Sequence, residues 1–420
     1  MPKKNALYAQ SGGVTAVINA SAWGVISTAQ QHPDRIGTVL LARNGILGAL
    51  HETLIDAASL SPTQLAALPN TPAGAFGSCR HKLTQAQEFD RLVALFAAHD
   101  IGYFFYNGGG DSADTCLKVA ELARQRGLDL VAVHVPKTLD NDLPHTDCSP
   151  GFGSAARYIA TSVREAGLDV ASMASTSTRV FVMEVMGRNA GWLTAAAGLA
   201  AADANTPPHL LLVPERVFDA GHFLDEVQKT VARIGYCVVV ASEGLRDADG
   251  KLLAQSGRTD AFGHAQLGGV APLLAGMVTD KLQLKAHWAV PDYLQRAGRH
   301  LASGTDLQQA IAVGQAAVQF ALQGKASVMA AIVREQDEPY RWHIDAVPLN
   351  QVANQEKKMP REFLDASGYR LTDAARAYFA PLIQGEAPIP YIDGLPALPD
   401  HRYTDIAQRL PSYERFTDPH

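Results

Sequence analysis

Pro136-Lys137-Thr138-Leu139-Asp140-Asn141-Asp142 follows a short apolar run and brings two carboxylates, a hydroxyl and an ammonium together. Phosphoryl transfer to an alcohol requires such a set: a base for the hydroxyl proton, a ligand for a divalent cation, and donors for the charge that moves. A solvated turn has a similar composition, but a polar cluster beside a buried strand stands where chemistry usually sits. Two further turns share that placement. Gly108-Gly109-Gly110-Asp111-Ser112 follows Ile101 to Asn107, and its glycines let backbone approach a ligand while the next helix offers unpaired N–H groups to a phosphate. Its plainer reading is a flexible turn with Asp111 or Ser112 as helix cap. Met183-Glu184-Val185-Met186-Gly187-Arg188-Asn189-Ala190-Gly191-Trp192 ends an apolar run on an arginine that can fork onto phosphate oxygens or cap a carbonyl.

These turns need elements to hold them. Short β-rich, nearly continuous apolar runs recur at Ala6 to Gln10, Gly37 to Ala42, Ile101 to Asn107, Leu128 to Val135, Val180 to Val185, Leu210 to Val213 and Tyr236 to Ala241. Helical stretches lie between most of them, among them Val14 to Gln30, Thr84 to Ala98, Ser112 to Gln125 and Leu224 to Ile234. Strands buried on both faces and alternating with helices predict a doubly wound parallel α/β sheet, whose ligands sit beyond the carboxyl ends of the strands. Gly151-Phe152-Gly153-Ser154-Ala155-Ala156 has dinucleotide-loop spacing but follows Pro150 rather than a strand, so it is not read as a nicotinamide or flavin site. No G-x-x-x-x-G-K-[ST] occurs, the histidines form no H-E-x-x-H pair, and His134 is read as structural.

At roughly 150 residues per domain, 420 residues suggest two or three domains, and 47% apolar with 19% charged residues is an ordinary globular balance. Lys+Arg 36 minus Asp+Glu 42 gives −6, leaving no positive excess for a nucleic-acid backbone or an anionic membrane surface. No apolar run approaches a bilayer span, no signal peptide is read, and Cys79, Cys116, Cys148 and Cys237 have no C-x-x-C spacing. A reducing cytoplasm is the expected compartment. From Ala387 onward, Pro388, Pro390, Pro396, Pro399 and Pro411 among scattered aromatics predict an extended tail lying on the body.

Taken in order, Ser11-Gly12-Gly13, Gly77-Ser78-Cys79-Arg80, the Gly108 turn, Pro136 to Asp142, Met186-Gly187-Arg188, Ser242-Glu243-Gly244 and Tyr293-Leu294-Gln295-Arg296 resemble the phosphofructokinase family. The resemblance runs from residue 11 to about 300. It implies two doubly wound α/β domains with the active site between them: residues 1–150 with about 295–350 binding the phosphoryl donor, about 151–294 with part of 351–420 binding the sugar phosphate, and 387–420 as a Pro-rich extension. It implies phosphorylation of the 1-hydroxyl of fructose 6-phosphate with Mg²⁺. Asp140 would be the base, Thr138 would bond the sugar, and Asp142 and Asp111 would hold the metal. Arg188 and Arg80 would steady the moving phosphoryl group, while Met186, Gly187, Glu243, Lys285, His287, Tyr293 and Arg296 would line the sugar phosphate. Arg179 would reach a neighbouring subunit's sugar site, so a homodimer or homotetramer with shared active sites is implied.

Within the family the chain resembles the pyrophosphate-dependent branch. ATP-using members are similar to Gly-Gly-Asp-Gly-Ser and Pro-Gly-Thr, whereas Asp111 replaces the last glycine and Lys137 the middle one here. A carboxylate at that turn crowds and repels an α-phosphate, and a lysine beside the catalytic motif can hold a pyrophosphate leaving group. Gly12, Gly13, Gly109, Gly110 and Ser112 would complete the donor site. The chain departs from the family with Gly110 at a metal-binding aspartate's place and with His287 where relatives have arginine, which would widen the acceptor range, for example to sedoheptulose 7-phosphate. The alternatives are an ATP-dependent enzyme and a sugar-phosphate-binding regulatory subunit, and reversible transfer from pyrophosphate is the principal expectation.

Overall fold

The structure, a computed structural model, describes residues 3–259, 265–398, 400 and 402–413. In chain order its strands are β1 (Lys4–Gln10), β2 (Ile36–Ala42), β3 (Leu54–Asp56), β4 (Ile101–Gly108), β5 (Val131–Pro136), β6 (Val180–Val185), β7 (Leu210–Leu212), β8 (Cys237–Ser242), β9 (Gln255–Thr259), β10 (Ala265–Leu267), β11 (Ala286–Ala289), β12 (Val328–Gln336) and β13 (Arg341–Pro348), followed by a tail hairpin of β14 (Tyr391–Ile392) and β15 (Leu395–Pro396). A seven-stranded sheet has the order β13-β12-β5-β4-β1-β2-β3, and a four-stranded sheet has the order β11-β6-β8-β7. β9 and β10 form a separate ribbon.

Every residue of β4, β5 and β8 is buried, as continuous apolar runs sandwiched between helices require. Register sets the site. Gln10 lies opposite Asn107, Gly108 opposite Pro136, and in the second sheet Val185 opposite Ser242, so the polar turns that follow emerge side by side. One apolar cluster runs through both bodies, joining Tyr8 and Phe105 of the larger sheet to Leu211 and Val240 of the smaller through Phe152, Trp192 and Phe379.

The parallel sheet read from sequence carries antiparallel strands at its margins. β3 pairs antiparallel with β2, and β13 antiparallel with β12. β13 alternates half-buried and exposed residues, the mark of an edge strand with one solvated face, so it lacked the continuous apolar run that located β1, β2 and β4 to β8. The predicted Val14 helix begins at Ile18, because the preceding residues form the turn at the site. The predicted Leu128 strand begins at Val131, its first residue paired with β4.

Gly151 enters the helix Phe152–Met173 from a loop, its N–H donating to Asp306. The tail crosses the outer edge of the larger sheet: Ile406 N donates to Leu54 O at 2.8 Å, and Arg409 N and Leu410 N donate to the buried Glu52 carboxylate. Among the described residues no helix is long and apolar enough to cross a membrane.

Candidate active site

A cleft of about 730 Å³ opens where the strand ends of the two sheets meet, lined by Gly13, Arg80, Lys137 to Asp140 and Asp142 on one side and by Met186, Arg188, Glu243, Tyr293 and Arg296 on the other.

The first wall is two turns laid side by side. Beyond β1, Ser11 N donates to Asn107 O and Gly12 N to Cys79 O, which draws the segment carrying Arg80 against the turn. Gly12 has φ +76°, and a Cβ there would stand 3.2 Å from Lys137 Nζ; backbone shape and lysine placement both call for glycine. A Cβ on Gly13 would stand 2.7 Å from Arg296 Nη1, so the arginine read as a sugar-phosphate ligand reaches across to the donor side. Its guanidinium lies over the Tyr293 ring, 3.9 Å from the centroid.

The turn after β5 carries Lys137, Thr138, Asp140 and Asp142. Lys137 N donates to Gly108 O, and its Nζ donates to Gly13 O at 2.6 Å. Burial pulls the Lys137 ammonium down to about 8, with Asp140 and Asp142 opposing and Arg296 and Arg80 adding to the fall. Thr138 Oγ1 accepts from Asp140 N at 3.0 Å, fixing that aspartate's backbone. Asp140 is raised above the ordinary carboxylate range by burial and the Glu243 charge, against the pull of Lys137 and Arg188. Asp142 is raised by burial, then by Asp140 and Glu356.

The scaffold under this turn comes from the far end of the chain. Asn141, at φ +56°, accepts through Oδ1 from Ser149 N and Lys357 Nζ, while Lys357 N donates to Asp142 O at 2.7 Å. Lys357 Nζ also reaches Thr146 O and Asp147 O. On the opposite wall Glu243 Oε1 accepts from Gly187 N, Gln295 Oε1 from Met186 N, and Ser242 Oγ donates to Gly187 O. Burial raises Glu243 as well.

Not every residue singled out from sequence lines the cleft. Asp111 stands in the first turn of the helix Gly110–Gln125 with its carboxylate on Lys82 Nζ at 2.8 Å, and Ser112 is buried beneath Gly108. Gly109 approaches Lys137 O, and a Cβ on Gly110 would meet nothing within 4 Å. Arg179, Lys285 and His287 are exposed along the β11 edge of the smaller sheet. His134 is fully buried in β5, where burial drives the imidazole down to about 3 and keeps it neutral.

The cleft also holds residues to which sequence reading gave no role: Glu184, Asn189, Asp292, Gln295 and Glu356. Gln295 stood inside a recognised motif, whereas Glu356 and Lys357 stand in none of the motifs singled out from sequence. Among the described residues no three His, Cys, Asp or Glu side chains converge as a metal cluster. Asp142 Oδ1, however, is buried without a hydrogen-bond partner, an orphan oxygen suited to a hard cation. Magnesium is commonly held by one or two carboxylates plus substrate phosphates, and this donor set fits that mode.

The profile of the family described as "Phosphofructokinase" matches residues 5–321. The chain is 60% identical to a pyrophosphate--fructose 6-phosphate 1-phosphotransferase of Methylococcus capsulatus, over 94% of this chain and 95% of that one. It is 57% identical to the enzyme of the same name from Halomonas elongata, over 99% of this chain and all of its relative. A crystal structure of a pyrophosphate-dependent phosphofructokinase from Nitrosospira multiformis superposes with a TM-score of 0.92 at 53% identity, covering 98% of this chain and all of that one. With the phosphofructokinase profile matching three quarters of the chain and these relatives matching nearly end to end, this chain belongs to the phosphofructokinase family.

Proposed function

We propose that this chain transfers a phosphoryl group reversibly from pyrophosphate to the 1-hydroxyl of fructose 6-phosphate, giving fructose 1,6-bisphosphate and orthophosphate. The observation that carries the choice of donor is Lys137, a buried ammonium fixed on Gly13 O beside Asp140, a point charge where a leaving phosphate needs one.

In the forward direction the sugar's O1 attacks one phosphorus of pyrophosphate as Asp140 takes the O1 proton. The bridging P–O bond breaks, its electrons leave on orthophosphate, and Lys137 balances that charge. Arg188 and Arg80, on opposite walls of the cleft, hold the equatorial oxygens of the moving group. In reverse, protonated Asp140 returns the proton to O1. Its raised pKa keeps both states accessible near neutrality. Glu243, Met186, Tyr293 and Arg296 receive the sugar phosphate.

Mg²⁺ would neutralise the donor and the departing phosphate; Asp142 is the residue to hold it, together with donor oxygens and water. Asp111 is engaged by Lys82 and is not assigned to the metal. Exposed Arg179 and His287 would serve the sugar site of a second copy in a homo-oligomer, and the cytoplasm, where phosphorylated sugars are retained, is the compartment. The deciding assay is purified chain with fructose 6-phosphate, Mg²⁺ and either donor: kcat/KM should favour pyrophosphate over ATP by at least about tenfold, ~1.4 kcal/mol in barrier. Comparable values with both donors would sink the assignment.

A further inference from the structure

A second cavity, of about 220 Å³, shares no lining residue with the cleft. It lies where the segment after Asp365 is laid along β7, the outer strand of the smaller sheet, with Leu211 N donating to Tyr369 O at 3.0 Å. Arg370 and Arg376 line it with Asp203 and Asp365, over an apolar wall that includes Ala201 and Leu371.

The two carboxylates are engaged in their own turns: Asp203 Oδ1 accepts from Asn205 N and Thr206 Oγ1, and Asp365 Oδ1 accepts from Ser367 Oγ and Gly368 N. Arg370 Nε, by contrast, is buried with no hydrogen-bond partner among the described residues. A buried donor left without an acceptor costs free energy that a bound oxygen recovers. Two planar guanidinium forks on one small cavity suit a tetrahedral dianion, each offering paired N–H groups to its oxygens. The volume, that of roughly seven waters, takes a phosphate on a stem of a few carbons and is too small for a nucleoside phosphate.

Arg376 belongs to the short helix Asp373–Phe379. In that helix Tyr378 Oη accepts at 3.1 Å from Nδ2 of Asn141, the residue between Asp140 and Asp142, and Phe379 packs against Phe152 and Trp192. Both arginines lie beyond residue 321, where the family match stops.

We propose that this cavity is a binding site for a small phosphomonoester, held by Arg370 and Arg376 with its carbon stem on the apolar wall, and that its occupancy steadies the helix behind Asn141 and with it the turn that carries Asp140. The binding stands by itself; the effect on turnover rests on the catalytic reading above.

The test titrates glycerol 3-phosphate, by calorimetry, into the whole chain with Mg²⁺ and imidodiphosphate at saturation, for wild type, Arg370→Met and Arg376→Met, each verified as folded by circular dichroism. Wild type should bind with a Kd below about 1 mM, more tightly than it binds orthophosphate, and each substitution should raise that Kd about tenfold or more, the scale of one lost charge-assisted pair. Without glycerol 3-phosphate, pyrophosphate kcat and KM of both variants should stay within about twofold of wild type; with it, at saturating fructose 6-phosphate, wild-type kcat should rise about twofold and the variants' should not. No binding by wild type, orthophosphate binding more tightly, or binding that survives both substitutions unchanged and so belongs to the cleft, would overturn the site. Binding that leaves kcat unmoved would overturn the coupling. Wild-type protein that binds glycerol 3-phosphate but fails to turn over pyrophosphate would overturn the catalytic reading and leave the site standing.

Discussion

Lys137 Nζ donates to the carbonyl oxygen of Gly13 at 2.6 Å, so the turn after β1 and the turn after β5 are joined by a buried cation. The ammonium has three protons, and one of them is committed to this carbonyl. The others are available to an anion, and the Gly13 bond orients them. A lysine here is both the clasp between two turns and the charge presented to a donor.

Lys137→Met keeps the length and removes the charge. It should lower pyrophosphate turnover by about 10² or more, the usual cost of deleting one preorganised donor to a developing negative charge. Steady-state kinetics on protein verified as folded by circular dichroism checks this; a loss below about tenfold would remove Lys137 from the leaving-group role.

Asp140→Asn preserves shape and deletes the proton acceptor. Positioned general bases are worth about 10² to 10⁴ in rate, and the loss should fall on kcat with fructose 6-phosphate KM little changed. Retention of more than about a tenth of wild-type turnover would move the base to Asp142.

Glu356 raises both Asp140 and Asp142 through its negative charge. Removing that charge makes ionisation of each aspartate easier, so their pKa values fall. The acid limb of the kcat/KM profile in Glu356→Gln should therefore shift to lower pH, while the alkaline limb, set by loss of the Lys137 proton near 8, should stay in place. A shift of the acid limb to higher pH would contradict the assignment.

Asp142 is raised in the folded state, so it binds its proton more tightly there than in the unfolded chain. The associated stability is present below the unfolded pKa and disappears as pH rises through the folded one. In metal-free buffer Asp142→Asn should thus raise Tm by about 2–4 °C at pH 8, the scale of ~1 kcal/mol for a domain of this kind, and by less at pH 4.5. Millimolar Mg²⁺ should narrow the gap at pH 8 by stabilising only the wild type. Scanning calorimetry at both pH values, with and without Mg²⁺, reads all four conditions.

The catalytic turns were legible because each follows a run of residues buried on both faces. Continuous apolarity marks the strands, and the polar cluster at a strand end marks the site, as with Val131–Pro136 leading into Lys137 and Asp140. Lys82, Glu356 and Lys357 were not legible. Lys82 stands in a segment without secondary structure, and its partner is 29 residues away. Lys357 sits in a charged run whose burial is decided only when the chain folds back to Asn141 and Asp142. β13 escaped notice because its solvated face interrupts the apolar pattern that revealed β4. Arg296 lines the cleft, but side-chain reach is a tertiary property, and nothing in its motif told that it extends to Gly13.

The backbone bond from Lys357 N to Asp142 O and the three acceptors of Lys357 Nζ bear on how the enzyme comes alive during its own synthesis. A growing chain releases Arg80, Lys137, Asp140 and Arg188 in the first half of translation. The outer neighbour of β5 and the lysine that anchors Asn141 emerge only near the end, beyond residue 321 where the family match stops. Ribosome-bound intermediates therefore carry Lys137, Asp140 and Asp142 without the residue that anchors their turn, and only the last part of the polypeptide brings Lys357 to it.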